Sequence, residues 1–210
     1  MGSKIRFNVA KFGAKVASQV SKFGFGSGNN LPGYVFYKIA GKEALKDLAH
    51  EMSIGPILIT GTNGKTTTTT LLIKLLSADT KIRKSFESNT IHAITTGILK
   101  GDGDLGVFEY GIRNKSYGIP DTVQRLIDPV GVVYTTISRE HSQVAGVKNP
   151  FEEYVDAKSL LSQGMTRGVV ISNADDPVTA NIACNKRNDL HVNFYGLAID
   201  LTLIHISEPT

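Results

Sequence analysis

The sequence predicts an α/β protein: a doubly wound, mostly parallel sheet with helices on both faces, built around a phosphate-binding loop. Three observations predict it. The run Ile57-Leu-Ile-Thr-Gly-Thr-Asn-Gly-Lys-Thr66 sets two glycines and a lysine between a short apolar segment and a helical one. From Pro56 onward, short apolar runs alternate with helical patterns. Polar residues stand just after several of those runs, at the carboxyl ends of strands, where such sheets bind ligands.

Taken in order, the elements are as follows. Ile5, Val9, Phe12, Val16, Val20 and Phe23 recur at steps of three and four with Lys4, Lys11, Lys15 and Lys22 between them, so residues 4–23 are expected to form a basic amphipathic helix. Such a stripe contacts a membrane surface or packs on its own protein or a partner; the modest charge of the polar face favours packing. Gly24-Phe-Gly-Ser-Gly-Asn-Asn30 is a breaker, and Leu31-Pro32-Gly33 is expected to close it with a turn. Residues 1–50 therefore read as an amphipathic helix, a glycine-rich linker and a short lead-in to a domain over 51–200.

Pro56 to Thr60 is a strand, and Lys65 to Leu76 a helix with Leu71, Leu72 and Leu75 on one stripe. Leu105 to Glu109 and Val130 to Ile137 read as strands. Between them Pro120 suits the first position of a helix reaching Asp128. Phe151 to Leu161 is helical, Gly168 to Ser172 extended, Asp176-Pro177 opens another helix, and His191 to Tyr195 is a further strand.

At the loop, Gly61 and Gly64 let the backbone approach a phosphate, and the helix start aims free N–H groups at it. Lys65 supplies a cation for the outer phosphates, and the Thr66 hydroxyl is placed to hold Mg²⁺. The spacing is shorter than in the standard loop: two residues separate the glycines, and Ile59 stands where a first glycine is usual. Read without this context, the segment would be a glycine turn with a solvated lysine.

The 23 basic and 19 acidic residues give a net charge of +4, which suits anionic small molecules as well as nucleic acid and so does not choose between them. No uninterrupted apolar run is long enough to span a membrane, and the amino terminus lacks a signal-peptide core. Cys184 is the only cysteine, which excludes an intrachain disulfide or a cysteine zinc cluster. A cytoplasmic location is expected. A regulatory GTPase would need a guanine-reading Asn-Lys-x-Asp, whereas Asn185-Lys-Arg-Asn188 ends in the wrong residue, and Asp128-Pro-Val-Gly131 precedes its strand. A nucleotide switch or a non-catalytic binding module ranks low.

Gly61-Thr62-Asn63-Gly64-Lys65-Thr66 resembles, letter for letter, the shortened loop of the Mur ligase superfamily. Four more motifs follow in the family's order: Glu109 at a strand end, Ser138-Arg139-Glu140-His141, Tyr154-Val-Asp-Ala-Lys158-Ser-Leu-Leu161, and Asn173-Ala-Asp175-Asp176. The resemblance covers roughly residues 31–196. Glu140 departs from the family's usual aspartate.

The resemblance implies the family's central ATP-binding domain and an ATP-dependent amide ligase of cell-wall peptide synthesis. Its substrates would be ATP, a nucleotide-linked peptide precursor and an amino acid, without nucleic acid. Gly61, Thr62, Asn63, Gly64, Lys65, Thr66, Thr67, Asn173 and Asp175 would contact the nucleotide. Lys65, Glu109, His141 and Lys158 would be catalytic. Two Mg²⁺ ions are implied, the first on Thr66 and Glu109, the second helped by His141 and by Lys158 if carbamylated. Taken alone, Lys158 is a solvated helix lysine paired with Asp156 or Glu153, Glu109 a salt-bridging carboxylate, His141 a polar loop residue, and Asn173, Asp175 and Asp176 a turn and helix cap.

Phe108-Glu-Tyr-Gly-Ile-Arg113 and Thr136-Ile-Ser-Arg-Glu-His141 resemble the archaeal pseudomurein peptide ligases more than MurT, the ligase-like subunit that works with a glutaminase. The family's adenine-side residues and C-terminal domain are expected beyond this chain, so the fragment is expected to be inactive alone. Leu201 to Thr210 fits no family motif and reads as a non-native tail.

Overall fold

The computed structural model describes residues 3–22, 30–140, 148–185 and 190–197. The expected linker, His141 and the suspected tail lie largely or wholly outside them. The elements run α1 (Ser3–Lys22), α2 (Leu31–Ala40), α3 (Ala44–Ala49), β1 (Gly55–Thr60), α4 (Lys65–Leu76), β2 (Ile82–Ser88) and α5 (Ile91–Lys100). After these come β3 (Leu105–Tyr110), α6 (Lys115–Gly118), α7 (Pro120–Ile127), β4 (Gly131–Tyr134), α8 (Pro150–Gln163), β5 (Val169–Asn173), α9 (Pro177–Cys184) and β6 (His191–Tyr195).

The six strands form one sheet in the order β2-β3-β1-β4-β5-β6, every ladder parallel. The central β1 is flanked by β3 on one side and β4 on the other, so the chain reverses its direction of winding there and opens a crevice at the carboxyl end of β1. Alternate residues of each strand face opposite layers. Leu58, Phe108, Val132 and Val170 join the larger core, under helices that include α5, α7 and α8; Ile59, Val107 and Val133 meet Ile73 and Leu72 of α4 on the other face. No helix among the described residues is long and apolar enough to cross a membrane.

Four local expectations are corrected. Leu31-Pro32-Gly33 is the start of α2, not a turn, because Pro32 sits in the first helical turn, where its missing N–H costs nothing. In α4 the buried residues are Thr69 and Ile73, with Leu72 and Leu76 half-buried beside them, while Leu71 and Leu75 are exposed. The strand at 130–137 is shorter than its apolar run, ending at Tyr134. In α1 it is the small face, Ala10, Ala14 and Ala17, that packs, and Ile5, Val9, Phe12, Val16 and Val20 stay exposed. Alanine lets α1 lie close to α2, where Phe7 meets Phe36 edge-on at 5.5 Å.

Candidate functional site

The loop after β1 is shaped by the neighbouring strand end. Gly61 has φ 151° and Gly64 φ 84°, and a Cβ on Gly61 would collide with the Thr135 hydroxyl. Thr62 donates its backbone N–H to Thr136 O at 2.5 Å, and the Thr135 hydroxyl donates to Asn63 O at 2.6 Å. Asn63 Nδ2 donates to Glu140 Oε2 at 3.1 Å. The loop is thereby clamped to the carboxyl end of β4.

Gly64, which has no side chain to cap with, opens α4 in the left-handed conformation, and among the described residues no side chain bonds to the helix start. By contrast, Thr90 and Asp176 fill that role for α5 and α9. The first N–H groups of α4 therefore face the crevice with the positive end of the helix dipole. Lys65 and Thr66 occupy this first turn. Lys65 Nζ donates to Thr62 O at 2.7 Å, and burial pulls its pKa below the ordinary lysine value, opposed by the charge of Glu109.

Parallel pairing places Glu109 of β3 beside Ile59 of β1, so its side chain emerges next to the loop. Thr66 Oγ1 donates to Glu109 Oε2 at 2.8 Å, and Glu109 is only 3% exposed. Two hard oxygen donors thus meet beside a lysine, a set suited to Mg²⁺. Among the described residues no three acidic, histidine or cysteine side chains cluster, and Mg²⁺ needs only one or two carboxylates when phosphates and water complete its shell.

Lys158 reaches the same place from α8. It is fully buried; its Nζ donates to Ile112 O at 2.8 Å and Gly61 O at 3.3 Å, and lies 4.2 Å from the centre of the Tyr154 ring. Burial, aided by repulsion from Lys65, brings its pKa down to about 7. The pairing with Asp156 or Glu153 that Lys158 alone would suggest does not occur: Lys158 is buried, while Asp156 and Glu153 engage Lys115, at 3.4 and 3.6 Å. Tyr134 OH holds α8 to β4 by donating to Lys158 O at 3.0 Å.

Gly61, Thr62, Lys65, Glu109 and Lys158 line one cavity of about 400 Å³. A larger one, about 770 Å³, lies beside α1, away from these groups. Asn63, Thr66 and Thr67 are in the loop and the first turn of α4 but do not line the smaller cavity. Asn173 and Asp175 stand at the end of β5 and also do not line it. Asn173 Oδ1 accepts from Asp175 N at 3.0 Å, and Asp175 Oδ2 accepts from Leu197 N at 2.6 Å. Asp176 caps α9 through Val178 N at 2.8 Å and accepts from Ile137 N at 2.5 Å.

Three further residues, to which sequence reasoning gives no functional role, reach the site. Tyr154 OH lies 3.0 Å from Thr62 Oγ1, which accepts from Ser138 N at 3.0 Å, so α8 and the β4 loop meet on Thr62. Tyr154 opens the Tyr-x-x-Ala-Lys motif and stands four residues before Lys158 on one helix face, but the sequence assigns it no role of its own. Arg113 and Glu87 also line the cavity, and Glu87 adopts φ 53°, a backbone conformation uncommon for a non-glycine residue. Arg113 ends the Phe108 to Arg113 segment without a role assigned to it there, and Glu87 carries no signal in the sequence.

A loop, strand-end carboxylate and buried helix lysine in this order belong to a nucleotide-binding α/β class, and comparison with known proteins places the chain within it. The Mur ligase middle domain matches residues 59–205, and the chain belongs to that family. It is 30% identical over 146 residues to the UDP-N-acetylmuramoyl-tripeptide--D-alanyl-D-alanine ligase of Bacillus subtilis, covering 66% of this chain and 31% of that protein. Against the UDP-N-acetylmuramoylalanine--D-glutamate ligase of Geobacillus kaustophilus it is 32% identical over 144 residues, covering 68% and 30%.

Among solved structures, MurF from Acinetobacter baumannii shares the fold with TM-score 0.63 at 18% identity, over 80% of this chain and 35% of that one. A pseudomurein peptide ligase type C from Methanothermus fervidus superposes with TM-score 0.53 at 27% identity, over 68% and 27%. The chain thus spans about a third of the length of the curated relatives it matches.

Proposed function

We propose that this protein supplies the nucleotide site of an ATP-dependent ligase that joins a carboxylate to an amino-acid amine in cell-wall peptide assembly. The observation that carries the reading is the 2.8 Å bond between Thr66 and Glu109 at an uncapped helix start, beside Lys65. A nucleotide's outer phosphates belong there: free N–H groups and Lys65 meet the anion, and Thr66 with Glu109 would hold Mg²⁺. When bound, the ion offsets charge on the phosphates. Family membership supports this reading.

In the proposed reaction a substrate carboxylate attacks the γ-phosphate, giving an acyl phosphate and ADP. The amine then attacks the acyl carbon and inorganic phosphate leaves. Two anions must approach each other in the first step, and Lys65 with the α4 start lowers that repulsion. Lys158 is proposed to be carbamylated: its amine, kept partly neutral near pH 7 by burial, bonds to the carbon of CO₂ and releases a proton. The resulting anion would face Lys65 and offer oxygens to a second ion, with His141 as a further proposed ligand.

The likeness to the Methanothermus fervidus protein supports a pseudomurein-type peptide as acceptor. The test supplies the full-length protein with ATP, Mg²⁺ and nucleotide-linked peptides and follows phosphate release. Release that requires an amino acid is expected. Release that requires glutamine and a glutaminase would replace this reading with the amidating one, and release from GTP without either co-substrate would contradict both.

A further inference from the structure

α1 buries its alanines and leaves an apolar stripe uncovered: Ile5, Val9, Phe12, Val16 and Val20 are 43–70% exposed. They recur every three or four residues, so they form one continuous line on the outer side of a 20-residue helix about 30 Å long at 1.5 Å per residue. None of them lines the cavity of the candidate site.

The charges of α1 are of one sign. Its sequence holds Lys4, Arg6, Lys11, Lys15 and Lys22 and no carboxylate. At 100° per residue, Lys4, Lys11 and Lys15 fall along one flank of the apolar line. Lys4 and Lys15 have no carboxylate partner among the described residues, whereas Lys11 pairs with Glu51 at 2.7 Å. On that flank a groove is lined by Lys11, Lys15, Lys100 and Phe12 and by no acidic residue.

We propose that α1 lies in the plane of an anionic lipid bilayer surface, with Phe12 and its apolar neighbours among the acyl chains and the lysine flank against the headgroups. Charge decides between this surface and a second copy of the chain. Two copies pairing through the stripe would bring cationic helix against cationic helix, while a bilayer rich in phosphatidylglycerol supplies the opposite sign. The apolar line is too interrupted by charge to cross the membrane, so the protein docks on it.

The test is co-sedimentation of the full-length protein with vesicles of phosphatidylcholine plus phosphatidylglycerol, and with phosphatidylcholine alone. Binding to the anionic vesicles only, weakened by salt, is expected. Phe12→Asp with Val16→Asp should lower it at least about ten-fold, and Lys4→Glu with Lys15→Glu should do the same. All four positions are solvent-facing, so circular dichroism and melting should stay unchanged. Equal or absent binding to both vesicle types overturns the proposal, as does wild-type binding by the Phe12/Val16 variant. A concentration-dependent dimer that the same variant dissociates, without vesicle binding, would assign the stripe to a second copy instead.

Discussion

A lysine ammonium at Lys158 gives up its water for two backbone carbonyls and an aromatic face, with no ion pair to it among the described residues. Its pKa of about 7 in the folded chain lies below the ordinary value of 10.5, so burying the charged form costs stability in full below about pH 7. That cost is relieved as pH rises from the folded value toward the unfolded one. In CO₂-free buffer, Lys158→Met should therefore raise the melting temperature more at about pH 6 than at about pH 9, by roughly 2–4 °C for each kcal/mol recovered. Calorimetry showing the same gain at both would refute a depressed pKa. If the full-length protein is the proposed ligase, Lys158→Ala should lose turnover and regain part of it with short-chain carboxylic acids, the signature of the proposed carbamate. Lys65→Ala and Glu109→Ala should each lower turnover by roughly a hundred-fold or more. Unimpaired steady-state rates would remove that residue from the mechanism.

The loop between β1 and α4 works because its neighbours leave it no room. Gly61→Ala should force the Thr135 hydroxyl and the end of β4 apart, costing about 1–3 kcal/mol and weakening nucleotide binding together. A variant that melts and binds like the wild type would show that the clamp gives way. These constraints explain what the sequence discloses. β1, β3 and β4 are legible because strands buried on both faces read as apolar runs. β2 is not, since Arg83 and Lys84 interrupt it; as an edge strand it tolerates them, and Arg83 is buried by donating to Gly103 O and Ile98 O at 2.8 and 3.0 Å. α5 is masked by Thr95, Thr96 and Gly97, poor helix formers that tertiary packing overrides. Lys65 and Thr66 are readable from spacing, and Glu109 from its strand end. Lys158 is readable only through the family resemblance, because one lysine on a helix carries no local sign of burial.

At the scale of the molecule, one parallel sheet brings side chains from α4, β3 and α8 to a single crevice across 97 residues of sequence, from Gly61 to Lys158. Parallel connections make this convergence obligatory: each strand ends on the same edge, so the residues that follow β1 and those that end β3 become neighbours however far apart they are in the chain. In the proposed function this edge grips a nucleotide through Lys65, with Thr66 and Glu109 adding a magnesium-dependent part. Equilibrium titration of ATP, with and without Mg²⁺, tests it most directly in the wild type, Lys65→Ala and Glu109→Gln. Lys65→Ala should weaken binding in both conditions, while Glu109→Gln should lose only the gain that Mg²⁺ confers. Wild-type affinity in Lys65→Ala, or an undiminished Mg²⁺ effect in Glu109→Gln, would contradict it.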